Sequence, residues 1–102
     1  MTGKWAGLSV LAAGLLVLPS AQAEQIAKGQ IMANSCLTCH GGKGQGPGEM
    51  PSINDFTEQG LINKLTSFKA GEEEDATVMD RHAAGYTDAE IRAIAKHIAD
   101  LN

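Results

Sequence analysis

The two cysteines of this 102-residue chain stand three apart and are followed at once by a histidine, in Cys36-Leu37-Thr38-Cys39-His40. Thiols at this spacing can add across the two vinyl groups of one porphyrin, and the adjoining imidazole is then held beneath the iron. C-x-x-C-H is the attachment pattern of a c-type haem. Other uses of the pair fit less well. A thioredoxin-like redox couple needs a βαβ context, and no strand-period segment of useful length occurs here. A zinc site needs four ligands, commonly a second C-x-x-C or a histidine pair, whereas His82 and His97 are isolated. No cysteine remains for a disulfide elsewhere. The expectation is one covalent haem c, joined through Cys36 and Cys39, with His40 as an axial iron ligand.

Iron in a haem has a second axial position, and its occupant separates electron transfer from small-ligand chemistry. The candidates are Met32, Met50, Met79, His82 and His97. Met32 lies four residues before Cys36, tied too closely to the attachment site to reach the opposite haem face. Met50 follows a Gly-rich loop and adjoins Pro51, which keeps it on the His40 side. His97 falls inside a terminal helix, where partly buried packing suits it. Met79 and His82 remain, in a segment of weak helical patterning between two amphipathic stretches, able to wrap the second haem face. Met79 is preferred, because the chain between it and His40 is long enough for a loop and a helix to pass round the porphyrin. A sulfur ligand raises the reduction potential relative to a nitrogen one, and it blocks the position where peroxide, oxygen or nitric oxide would bind. The alternative, a gas-binding or peroxidase-type haem protein, needs that position open or labile. Pro51 is assigned a supporting role. The free nitrogen of a ligating imidazole normally donates to a carbonyl that fixes the ring, and the Pro51 carbonyl, shortly after the Gly-rich loop, is the expected acceptor.

The elements that hold these groups follow a leader. Lys4 makes a short positive start, residues 5–18 are an apolar run, Pro19-Ser20 breaks it, and Ala21-Gln22-Ala23 is an A-x-A cleavage site. Residues 1–23 are therefore expected to be a secretory signal peptide, its run short of the roughly 20 residues a membrane span needs. No second apolar stretch is long enough to span, so no membrane span is expected after cleavage. Residues 24–102 form the remaining domain, near the lower size limit for a self-sufficient core. Domains this small need a staple, and the haem is the one available; the haem-free chain is expected to be largely unfolded. The leader holds one base and no acid, which leaves seven bases against twelve acids in the domain. An acidic domain is a poor nucleic-acid binder; basic or neutral redox proteins suit it better as partners.

Residues 24–34 read as a first helix with Ile26, Ala27, Ile31 and Met32 as apolar positions, ended by Asn34-Ser35. Gly29 within it marks close packing. Residues 41–48, Gly-Gly-Lys-Gly-Gln-Gly-Pro-Gly, are a loop. Asp55 or Thr57 caps a second helix whose stripe is Leu61, Ile62, Leu65 and Phe68, stopped by Gly71. Glu72-Glu73-Glu74-Asp75 reads as a solvated acidic run. Thr87-Asp88-Ala89-Glu90 is a capping box opening a last helix with Ile91, Ile94, Ala95, Ile98 and Leu101 on its apolar face. The whole is an all-α domain of three or four helices wrapped around one haem.

With Cys36-Leu37-Thr38-Cys39-His40-Gly41, Met50-Pro51-Ser52-Ile53, Phe68-Lys69-Ala70-Gly71, Val78-Met79-Asp80-Arg81 and Gly85-Tyr86-Thr87-Asp88-Ala89-Glu90-Ile91 in view, the chain resembles the class I cytochromes c. Within them it is most similar to the cytochrome subunits of flavocytochrome c sulfide dehydrogenases and related small bacterial monohaem cytochromes. The resemblance covers almost all of residues 24–102. It implies the small cytochrome c fold, His40/Met79 ligation, a crossing of the first and last helices near Gly29, and periplasmic electron transfer with redox partners such as a flavoprotein dehydrogenase. The chain departs from the pattern in two places. Many such subunits carry two haems and this chain has one attachment motif, and His97 stands where an aromatic residue is common. No G-x-G-x-x-G follows a strand, so a flavin would belong to another chain.

Overall fold

The computed structural model describes residues 20–102. They form four helices, α1 (Ala21–His40), α2 (Glu58–Lys69), α3 (Met79–Ala84) and α4 (Asp88–Ala99), with no strand among the described residues. Helix α4 is the centre, packing on both α1 and α2, while α3 rests on α2. The expected leader lies outside the described residues except for 20–23, which open α1. There Ser20 is the cap, its Oγ accepting from the Ala23 amide at 3.1 Å.

Helix α1 differs from the sequence reading in its end and in its buried face. It does not stop at Asn34-Ser35 but runs on through His40. The hydroxyls that could have ended it bond backward instead: Ser35 Oγ donates to the Met32 carbonyl at 2.8 Å and Thr38 Oγ1 to the Asn34 carbonyl at 2.9 Å. Gly41 closes the helix, its amide bonded to the Leu37 carbonyl. Of Ile26, Ala27, Ile31 and Met32, only Met32 packs against the core. Ile26 is 51% exposed and Ile31 69%, because at 3.6 residues per turn those four positions are scattered around the helix. The face that turns inward is Gly29, Ala33, Cys36 and His40, spaced by four, three and four. It is built from small residues and from the attachment motif.

That small-residue face is what admits α4. A Cβ on Gly29 would come within 2.5 Å of the Ala93 carbonyl oxygen, so the two backbones touch where the helices cross. Helix α4 supplies most of the core: Ile91, Ile94 and Ile98 are almost wholly enclosed, joined by Leu61 of α2 and Ala33 of α1. Burying each isoleucine stabilises the fold by about 1.5–3 kcal/mol. Its capping box is formed, with Glu90 N to Thr87 Oγ1 at 3.1 Å and Thr87 N to Glu90 Oε1 at 2.9 Å. Of the two candidate caps for α2, Thr57 is the one used, accepting from Gly60 N.

Candidate functional site

Because α1 continues through the motif, Cys36, Cys39 and His40 occupy positions i, i+3 and i+4 of one helix. Side chains at that spacing share a face. All three line a cleft of about 430 Å3, within the size range of small-molecule and cofactor sites. Neither cysteine is in a disulfide; Cys39 is exposed and Cys36 half-buried. Burial pushes the Cys36 thiol above its ordinary range, with a smaller push from the neighbouring Cys39, so it is held as a thiol.

His40 is buried. Its Nδ1 lies 2.7 Å from the Pro51 carbonyl oxygen. A carbonyl only accepts, so Nδ1 carries the proton and Nε2 keeps the ring's lone pair, the tautomer suited to metal ligation. The Gly-rich loop brings Pro51 there. Gly46 N donates to the His40 carbonyl at 2.7 Å, folding the loop back onto the end of α1. Ile53 N and Asn54 N both donate to the Gly44 carbonyl, at 2.8 and 3.1 Å. Gly46 has φ +73, and a Cβ on it would meet the Met50 oxygen at 2.5 Å and the Ser52 nitrogen at 2.6 Å. Only glycine lets the 50–52 backbone approach closely enough to present the Pro51 oxygen to His40.

The other walls come from α2, α3 and the segment between them. Val78, Met79 and His82 line the cleft together with Phe68 and Lys64. The 70–78 connection has turns but no regular structure, and Met79 is the first residue of α3. His97 does not line the cleft; it is half-buried on α4. Met50 borders the cleft beside Pro51, and Met32 packs against the core next to Cys36. Of the five candidates for a second iron ligand, three therefore border the cleft: Met50, Met79 and His82.

Other cleft residues were assigned different places by sequence reasoning. Phe68 belonged to a core stripe, yet it faces the cleft; it is the last apolar residue of α2. The acidic run is not wholly solvated. Glu73 is half-buried and pairs with Lys64 at 2.8 Å, and both it and Asp75 border the cleft. Lys64 also sits 5.5 Å from the Phe68 ring centre. Tyr86 reaches across the cleft, its hydroxyl 3.3 Å from Ser35 Oγ beside Cys36. No periodicity marks Lys64, Glu73 or Tyr86 in the sequence, because they meet through separate elements.

The residues present fit a haem. Two uncrosslinked thiols share a face with an imidazole whose coordinating nitrogen is free, a thioether stands on another wall, and most of the lining is apolar.

The comparisons with known proteins agree. The family model described as Cytochrome c matches residues 26–102. The cytochrome subunit of sulfide dehydrogenase from Chlorobaculum tepidum is 39% identical over 75 residues, covering 74% of this chain and 67% of that protein. Cytochrome c-554(547) of Halothiobacillus neapolitanus is 27% identical over 77 residues, covering 66% of this chain and 85% of that one. Among the described residues no helix is long and apolar enough to cross a membrane.

Proposed function

This chain belongs to the cytochrome c family, an electron-transfer cytochrome with covalent haem c, and from that premise we propose that it is an exported monohaem carrier whose iron is held by His40 and Met79. The haem supplies a one-electron iron couple. Cys36 and Cys39 fasten it by thioethers, and the Pro51 carbonyl holds the His40 ring by accepting from Nδ1. The observation that supports this reading is that His40 and Met79 line one cleft, from two elements that pack on different neighbours. A filled second position leaves no room for substrate at the iron, so the chain's task is to hold and pass an electron.

The location is the periplasm, reached through the leader at 1–23. The partner is a flavoprotein dehydrogenase of the sulfide-oxidising type, a reading supported by the similarity to the sulfide dehydrogenase subunit. The test begins with the purified holoprotein. Its ferric form should be six-coordinate and low-spin, with the weak far-red band of methionine–iron ligation, and Met79→Leu should abolish that band. Rapid carbon monoxide binding by the reduced wild type at neutral pH would replace this reading with the ligand-binding alternative. Co-purification of the native protein with a flavoprotein, and its reduction by that flavoprotein plus sulfide, tests the partner.

A further inference from the structure

Met79 is not the only ligand-bearing side chain that α3 brings to the cleft. His82, three residues on, borders it as well, and helical positions i and i+3 are neighbours with Cβ atoms about 5–6 Å apart. The mount is adjustable. Helix α3 has six residues, and its N-cap Val78 makes no side-chain bond. The irregular 70–78 connection precedes it and Gly85 follows. Ala83 is its one fully buried residue, beside half-buried Met79 and Asp80. Three residues of helix correspond to a slide of about 4.5 Å, which nine residues of irregular chain can absorb.

We infer that His82 is a reserve iron ligand: when the Met79 thioether is removed, α3 shifts by less than a turn and the His82 imidazole takes its place opposite His40. The inference rests on the reading that Met79 is the resting ligand. Methionine holds the position in the resting protein because it opens α3, next to the connection that delivers the helix to the cleft. His82 is exposed and so is not committed to the core. His97, the remaining histidine, is half-buried on α4 and away from the cleft. A tethered imidazole acts at an effective concentration on the order of millimolar, enough to exclude water from the iron.

The test uses holoprotein variants read by absorption and electron paramagnetic resonance at neutral pH. Met79→Leu keeps an apolar side chain of similar volume. It is expected to stay low-spin with a bis-imidazole spectrum and no far-red band. Met79→Leu/His82→Ala is expected to become high-spin and to bind added imidazole at least about tenfold more tightly than Met79→Leu, since the internal competitor is gone. Met79→Leu/His97→Ala should remain low-spin. A high-spin Met79→Leu protein, or a low-spin one indifferent to His82→Ala, overturns the inference. A far-red band that survives Met79→Leu overturns the Met79 assignment and the reserve role with it. Should Met79→Leu not retain haem, a denaturant titration replaces it. Wild type should pass through a low-spin form lacking the far-red band before unfolding, whereas His82→Ala should go directly to high-spin; identical titrations overturn the proposal.

Discussion

A histidine can offer one nitrogen to a metal only if the proton sits on the other. In this protein that choice is made by the Pro51 oxygen, 2.7 Å from His40 Nδ1, and it depends on a glycine whose own amide bonds the His40 carbonyl. Gly46 at φ +73 leaves space for the 50–52 backbone. Gly46→Ala combines a strained conformation with a collision against backbone, and is expected to cost about 1–3 kcal/mol. Its melting temperature should fall, and the reduction potential should shift because the His40 ring is no longer held. An unchanged potential would show that the loop can present the carbonyl without the glycine. The cysteines make a simpler prediction. With both consumed as thioethers, the loaded protein should show no thiol reactive to Ellman's reagent, even after denaturation.

Helix α1 ties the attachment motif to the core, so its crossing with α4 bears on the site. In an isolated helix Gly→Ala gains about 0.5–1 kcal/mol. At Gly29 the added methyl meets the Ala93 carbonyl oxygen at 2.5 Å, and the cost of forcing a packed crossing apart is about 1–3 kcal/mol. The collision wins, so Gly29→Ala should be destabilising by denaturant melts despite its better propensity. At the start of α4, Thr87→Ala removes half of the capping box and should cost about 1 kcal/mol, read the same way, with the haem spectrum untouched. The two variants separate loss of an element's end from loss of its seat.

Across the whole domain the core is thin. Among the described residues the buried hydrophobic side chains larger than alanine are Leu61, Ile91, Ile94 and Ile98. Four such groups contribute roughly 6–12 kcal/mol, a small core for a domain near the lower size limit. The apolar cleft lining is the surface that a planar apolar group would bury. The double variant Cys36→Ala/Cys39→Ala, produced without covalent haem, should therefore lack a cooperative melt and show weak amide-exchange protection. A sharp transition in that variant would mean that the protein core suffices alone.

Motif chemistry and helix caps are local, and they were legible in the residues. Cys36, Cys39 and His40 are adjacent along the chain, and the Thr87–Glu90 box closes within a single turn. The α4 stripe was legible because its large apolar residues recur at the helical period. The buried face of α1 was legible only at Gly29, which marked the close crossing; Ala33 and the motif complete it, and small residues leave little hydrophobic pattern while large exposed ones such as Ile31 mislead. The pairing of Lys64 with Glu73 and the reach of Tyr86 to Ser35 join residues from separate elements. Such contacts depend on where the elements meet. Only the packed chain decides them, because each lies between side chains that no periodicity links.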